Sequence, residues 1–424
     1  MKILNYQGNK NRLLPFIQEN GRSYIQKGKA ILDIFSGGGA VCSSLIGKYK
    51  VFSNDLEPFS YHIANSLIRK SSFSNFDDDF ETKFRKDFTN NRLLLSNKLK
   101  SFIDKERETI EAKEEAKILS FYNHVPTLWN GGFSPILDTN ISSNTIRLRP
   151  HNVFYSLFTL IYSASYFGVE QAIEIDSLRY AIEMCDKSYN KSFLLSCLFY
   201  SMNCCVFSKD GHMAQPLSIE KNIARVCKRR SVSIISKFLS EFNTYKDLEE
   251  PISRENIAYN KDFLDLLKTE NLSEVGLIYA DPPYTDMQYS RYYHLLNTVC
   301  EYRFAEPSMI NGKYSHGLYL QNRRQSEIST KRTFLSSLNV LFSFCKSNKI
   351  NLIISFGYPE KNSEEKTDRY LTSIDELLSN ARACFGNKNV ILKGEKYNHS
   401  NQRNSHKKSV VEYLILCRGE DINA

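Results

Sequence analysis

The 424-residue chain has no CxxC pair, no HExxH stretch and only eight histidines, scattered along its length. Zinc sites and metalloprotease chemistry need ligands at such short spacings, so no metal is assigned. Ten cysteines are present, but they form no even ladder, and Cys204 and Cys205 are adjacent. With no signal peptide, that usage reads as reduced thiols in a cytoplasmic protein. Residues 203–212 gather Cys204, Cys205, Lys209 and His212, yet single residues of these types are structural far more often than ligating. No apolar run is long enough to cross a bilayer: the strongest, residues 193–206, is short and polar-flanked. Internal repeats and low-complexity tracts are missing as well, which removes repeat architectures from consideration. What charge there is leans positive, at a formal +9, and favours a polyanionic partner without requiring one.

Against that background the tetrapeptide Asp281-Pro282-Pro283-Tyr284 stands out. It follows VGLIYA (residues 275–280), a buried strand by composition, so the carboxylate falls where a parallel strand ends. Ligands of open α/β sheets bind in the crevice outside those carboxyl ends. Each proline fixes φ and removes a donor, leaving rigid backbone carbonyl acceptors. Asp281 adds a second acceptor and Tyr284 a face for stacking. Two acceptors match the two hydrogens of an exocyclic amino group on a flat base. An Asp-Pro turn that merely ends a strand is the competing reading.

Near the start, YQGNK (residues 6–10) precedes an apolar helix. AILDIF (residues 30–35) then reads as a short buried strand, and Ser36-Gly37-Gly38-Gly39 as a turn leading into a helix. Missing side chains in such a turn let a ligand approach the backbone. The next strand, KVFS (residues 50–53), ends at Asn54-Asp55, and an acid after the second strand commonly takes a ribose diol. The glycines do not spell GxGxxG, so a nicotinamide or flavin dinucleotide is not expected.

In this order, NYQGNKNRLLPFI, ILDIFSGGG, SNDLEP, NKDFLDLL and LIYADPPY resemble the D12-class, Dam-like adenine-N6 DNA methyltransferases. The resemblance covers residues 1 to about 68 and 256 to about 300. It departs at Asn9, where related enzymes often carry a second glycine. It implies an α/β fold: a Rossmann-like seven-stranded methyltransferase sheet with a large, mainly helical insert. The implied cofactor is S-adenosylmethionine. Tyr6 and Lys10 would lie near its methionine end, and Asp33, Phe35, Gly37 and Gly39 would form the loop beneath it. Asp55 would take its ribose, Asp262 would accept from its adenine amino group, and Phe263 would pack on the adenine. Each has a plainer alternative: Lys10 a surface lysine, Phe263 core, Asp262 a helix cap. Asp281, Pro282, Pro283 and Tyr284 would act on adenine N6, the base being rotated out of the duplex.

The organisation implied is a cofactor-binding half (1–70), an inserted target-recognition region (71–255) and a catalytic half (256–424). Within the insert, residues 106–116 read as a charged, solvated helix, and 154–167, 171–183 and 193–206 as apolar helical segments. Residues 221–237 hold the densest basic cluster, with Arg225, Lys228, Arg229 and Arg230 as candidate phosphate contacts or a solvated face. The aromatic stretch 288–294 adds Arg291 as a further nucleic-acid candidate, its tyrosines being either stacking surfaces or packing. Asn130-Gly131-Gly132 suggests a loop able to enter a groove, and 397–408 a basic loop. IAYN (residues 257–260) reads as a core strand, residues 351–357 as a buried one, and 390–392 with 410–417 as a closing pair. The expected partners are double-stranded DNA and, functionally, a restriction endonuclease, with no membrane and no metal. Three rivals stay open: an RNA adenine-N6 methyltransferase, a cytosine-N4 enzyme, and a catalytically inactive DNA-binding protein on the same scaffold.

Overall fold

The protein is described from a computed structural model, which covers residues 8–69, 74–127, 155–209, 212–247, 255–303, 306–321, 323–360, 367–399 and 408–420. Tyr6 and the Asn130-Gly131-Gly132 loop lie outside these. The chain divides into two compact units: Met1–Gln7, Phe73–Glu249 and Ser290–Arg323 in one, and Gly8–Ser72, Glu250–Tyr289 and Arg324–Ala424 in the other.

The strands, in chain order, are β1 (Ala30–Asp33), β2 (Val51–Asn54), β3 (Ile257–Tyr259), β4 (Val275–Ala280), β5 (Met309–Ile310), β6 (Lys313–Tyr314), β7 (Asn351–Pro359), β8 (Val390–His399) and β9 (Lys408–Cys417). Seven of them form the sheet of the second unit, in the order β3-β2-β1-β4-β7-β9-β8. β3 through β7 run parallel, and β9 and β8 close the sheet antiparallel. Being covered on both faces, β1, β2 and β4 are buried throughout, and this is why they are apolar without alternation. Alternate residues nevertheless serve different layers. Leu32 and Ile278 pack with the helices Phe263–Thr269, Phe334–Ser347 and Ile374–Phe385. Ile31 and Leu277 pack with Leu14–Gly21, Ala40–Leu45 and Pro58–Ile68. The seven-stranded, Rossmann-like architecture expected from the sequence is present. β3 is an edge strand rather than a core one, with Ile257 36% exposed. The closing pair is longer than its apolar residues indicated, because backbone pairing runs on through polar residues to His399 and Lys408.

Among its described residues the other unit is mainly helical, with the short β5–β6 ribbon. Its centre is the helix Val169–Met184, buried on nearly every side, against which Asp78–Lys98, Lys191–Cys205 and Ile234–Tyr245 pack. A helix enclosed this way must satisfy its polar side chains internally. Asp176 accepts from the Phe158 and Thr159 amides, both at 2.8 Å, and from the Tyr302 hydroxyl at 2.5 Å. Residues 106–116 are helical as far as Ala112 and largely exposed, as their charge suggests, but Glu106 is an exception. Glu106 is buried; it accepts from the Tyr122 hydroxyl at 2.7 Å and from the Val169 and Glu170 amides at 3.1 and 3.2 Å. It thereby caps the start of the central helix from a distant part of the chain.

Residues 290–323 belong to this helical unit although the sheet continues after them. The reason is specific packing. The Tyr302 ring stacks on Tyr155 at 4.3 Å, Arg179 donates to the Val299 carbonyl at 2.8 Å, and the Tyr166 hydroxyl meets His294 at 3.2 Å. Burial pushes His294 down to about 3, so its imidazole is neutral.

Candidate active site

The strand order reverses direction between β1 and β4: the chain runs outward from β1 through β2 to β3, then returns to the other side of β1. A crevice opens at such a switch point, outside the carboxyl ends of the two central strands. Asp33 ends β1 opposite Tyr279, and Asp281 follows β4 directly, so the register brings both acids to this crevice.

Asp33 is buried. One carboxylate oxygen accepts from the Cys42 amide at 3.2 Å, while the other is enclosed without a hydrogen-bond partner. Burial, with Asp281 nearby, raises its pKa well above the ordinary carboxylate range. A buried, half-satisfied carboxylate is costly, and a cationic donor would relieve it. Asp55 latches the glycine turn: it accepts from the Gly37 amide at 2.8 Å and from the Glu57 amide at 2.9 Å. Burial nevertheless lifts its pKa to about 6. At Gly39, φ is +75° and a β-carbon would lie 3.2 Å from Leu67 Cδ1, so both the backbone conformation and the packed helix beneath it favour glycine here.

Asp281 is held by residues far apart in the chain. Its Oδ1 lies 3.0 Å from Lys10 Nζ, out of line for a hydrogen bond, and the same ammonium donates to Glu412 Oε1 at 2.8 Å. Ser355 on β7 also donates to Glu412 Oε1, at 2.5 Å, and the Tyr397 hydroxyl hydrogen-bonds the same carboxylate. Glu412 sits on β9 opposite Gly357 and is fully buried. Burial works against the charge on Lys10, but the two carboxylates outweigh it and hold the amine protonated far above neutrality. For Asp281, burial dominates and pushes its pKa up to about 7; Lys10 pulls it down and Glu412 pushes it up. Lys10 is therefore not a surface lysine, and its ammonium is placed beside the Asp281 carboxylate.

The remainder of the tetrapeptide is clamped by a later segment. Leu371 donates its amide to the Tyr284 carbonyl at 3.0 Å, Asp286 donates to the Arg369 carbonyl at 3.0 Å, and the two side chains form an ion pair at 3.0 Å. The Tyr284 ring is half-buried, stacked with Tyr370 at 6.3 Å and edge-on to Phe356. Gly8, at φ +85°, passes beneath the hydroxyls of Tyr289 and Tyr284. Pro282 is buried and Pro283 half-buried.

Other sequence candidates also have structural partners. Asp262 caps its helix through the Leu264 amide at 2.9 Å. Phe263 is 2% exposed and edge-on to Phe35 at 5.2 Å, so its ring has little face left for an adenine. In the helical unit, Arg225 donates to the Ser208 carbonyl at 2.9 Å and Arg229 to that of Cys204. Arg230 is buried, donating to the Tyr166 and Ser165 carbonyls at 2.9 and 3.0 Å. Each of these guanidiniums satisfies a backbone oxygen; Arg230 is buried, Arg229 half-buried and Arg225 exposed. Lys228 is exposed. Arg291 is exposed too, whereas its neighbour Tyr293 is core.

Sequence reasoning missed Glu412 and Ser355. The signal was present: VVEYLILC carries one acid inside an otherwise apolar strand, and a buried strand does not tolerate such an acid without a cation. Among the described residues no group of three or more His, Cys, Asp and Glu side chains forms a metal cage, and no helix is long and apolar enough to cross a membrane.

Comparison with known proteins agrees with the resemblance carried by the motifs. Residues 6–129 match the family model of D12 class N6 adenine-specific DNA methyltransferases. The chain is 24% identical over 311 residues to the modification methylase LlaI of Lactococcus lactis subsp. lactis, covering 70% of this chain and 38% of that protein. It is 22% identical over 378 residues to the modification methylase StsI of Streptococcus sanguinis, covering 88% and 47%. With the type II methyltransferase M.FokI of Planomicrobium okeanokoites, identity is 24% over 378 residues, covering 87% and 47%. The chain thus spans less than half the length of each of these three relatives.

Proposed function

We propose that this chain is a site-specific DNA methyltransferase that moves a methyl group from S-adenosylmethionine to N6 of an adenine rotated out of duplex DNA. In this reading it acts as a cytoplasmic modification enzyme paired functionally with a restriction endonuclease. The observation that carries the proposal is the placement of Asp281 beside Asp33 at the switch point, with Lys10 and Glu412 buried behind it.

The residues fit the methyl donor. Asp33 offers a buried acceptor without a partner, suited to the donor's ammonium group. Asp55 keeps lone pairs beyond its two amide bonds for a ribose hydroxyl. When bound, the donor supplies an electrophilic methyl on a sulfonium.

The acceptor side follows from charge. Adenine N6 is a weak nucleophile because its lone pair is delocalised into the ring. Asp281 and the Pro282 carbonyl each accept one N6 hydrogen, which favours the pyramidal nitrogen that forms as the N–C bond is made and the C–S bond breaks. Lys10, Asp281 and Glu412 together carry a net single negative charge when ionised, matching the positive charge that develops on N6. Asp281 then takes the departing proton, a task for which a pKa near 7 is suited. Tyr284 provides the stacking face for the extruded base. No covalent enzyme intermediate is needed, and the buried cysteines take no part.

The test is transfer of labelled methyl groups to unmethylated duplex DNA of genomic complexity, with duplex RNA alongside and the product base identified by mass spectrometry. N6-methyladenine in DNA is expected. Label only in RNA, or as N4-methylcytosine, overturns the substrate assignment. Donor binding without any transfer overturns the enzymatic one in favour of a DNA-binding protein.

A further inference from the structure

The hairpin spanning residues 306–321 in the helical unit has no role in the chemistry above, and its surface is unusual. β5 and β6 pair as Met309 with Tyr314 and Ile310 with Lys313, joined by Asn311 at φ 51° and Gly312 at φ 73°. Positive φ at both central positions is the two-residue turn that matches strand twist, so the tip is stiff. Yet it carries three large exposed apolar side chains: Met309 at 53%, Ile310 at 63% and Tyr314 at 39%. Adjacent residues of a strand point to opposite faces, so the exposure of both Met309 and Ile310 means that neither face of the ribbon lies on the body of the unit. An isolated ribbon of this size is marginal alone. Its base holds it: Ser315 donates to the Ser308 carbonyl at 2.8 Å, Gln321 to that of Glu306 at 2.9 Å, and the Tyr166 hydroxyl to that of Gly317 at 2.9 Å.

The base also carries two guanidiniums with no counter-charge. Arg291 and Arg323 lie 4.9 and 5.3 Å from the centre of the Tyr319 ring. Arg323 donates to the Leu320 carbonyl at 2.9 Å and to Ser308 Oγ at 3.3 Å, but its Nε is enclosed without a partner, as is the Tyr319 hydroxyl. Burial, and then the charge of Arg291, lower the pKa of Arg323. Among the described residues neither arginine has an ion pair. Two guanidiniums on one ring, Arg291 exposed and Arg323 half-buried, suit a multivalent oxyanion.

We propose that this hairpin is a DNA-docking element, with Arg291 and Arg323 gripping a backbone phosphodiester and the Met309–Ile310 tip pressing on bases or sugars of the same duplex. The inference rests on the DNA reading above and deepens it, adding a second place for phosphate contacts to the Arg225–Arg230 helix. A duplex is the occupant that accounts for both features at once, because it presents regularly spaced anions beside apolar base edges and faces.

The experiment is duplex binding by the full chain at several salt concentrations, read by fluorescence anisotropy, with donor binding and thermal midpoint as controls. Arg291→Gln and Arg323→Gln should each weaken binding and flatten the log K against log salt slope by about 0.9, one phosphate contact each. Met309→Ser with Ile310→Ser should weaken binding several-fold with an unchanged slope. Arg291 is exposed, so that variant tests the slope even if Arg323→Gln folds poorly. Wild-type slope and affinity in Arg291→Gln, in a protein that still methylates DNA, would overturn the docking element and leave the function standing. Failure of the wild type to bind or methylate DNA would overturn both.

Discussion

On the proposed function, replacing Glu412 by Gln should move the pH dependence of methyl transfer, because Glu412 adds to burial in holding the pKa of Asp281 up. The substitution is isosteric, and its side-chain oxygen can still accept from both Lys10 and Ser355, so the packing of β9 against β7 is preserved. What disappears is one negative charge. The two carboxylate oxygens lie 3.0 and 2.8 Å from the same Lys10 nitrogen and so are at most about 6 Å apart. At an effective dielectric constant of about 20, repulsion over that distance is roughly 3 kcal/mol, equivalent to about two pH units. Asp281 must be ionised to accept from N6, so activity rises with pH through its pKa of about 7. Removing a neighbouring negative charge favours the ionised form, and the acid limb should shift downward by one to two units, on the order of the Coulomb figure. The other groups facing Asp281, namely Lys10, Asp33, Tyr279, Tyr284 and Tyr397, are common to both proteins. The plateau rate should fall, on the order of tenfold, because the site loses the net negative charge that meets the developing cation. The assay is kcat/KM from pH 5 to 9 at saturating donor, and Glu412→Asp should restore the wild-type limb. A lowered plateau with an unmoved limb would refute the reasoning and reduce Glu412 to a packing residue.

The same carboxylates set stability. Asp281 binds its proton more tightly in the folded protein, at about 7, than at its ordinary value of 3.8, so its ionisation opposes folding as pH rises through that window. Asp281→Asn should therefore abolish turnover while raising stability at pH 8 by on the order of 2–4 kcal/mol, an advantage that vanishes by about pH 4 in thermal melts. Asp33→Asn should weaken donor binding by about tenfold or more in titration calorimetry, since a charge-assisted hydrogen bond is worth roughly 1.5–3 kcal/mol; unchanged affinity would leave Asp33 a purely structural role. Glu106→Ala strands two buried amides and the Tyr122 hydroxyl. It should cost about 2–4 kcal/mol in urea denaturation, against a negligible loss if Glu106 were solvated.

The sequence by itself determined the scaffold and the sheet edge at which Asp281 lies. Apolar runs at residues 30–35 and 275–280 read as buried strands, and an acid directly after such a run lies at the carboxyl edge of the sheet. The place of Asp281 was therefore legible in the sequence, whereas Asp33 lies inside its run and only the structure ends β1 there. That legibility is local: strand, turn and following residue are contiguous. Charge was read less well, because a local pattern does not reveal which neighbour neutralises a side chain. Glu106 looked solvated and is buried; Arg229 and Arg230 looked like an open basic face and are bound to carbonyls. The pairing of Lys10 with Glu412, 402 residues apart, exists only because β9 folds back beside β7. Likewise the assignment of 290–323 to the helical unit depends on Tyr302 and His294 finding partners in distant helices. Where hydrogen bonding and burial are local, composition decides. Where a buried charge needs a partner, the tertiary fold decides, because desolvation makes that partner obligatory without saying where in the chain it comes from.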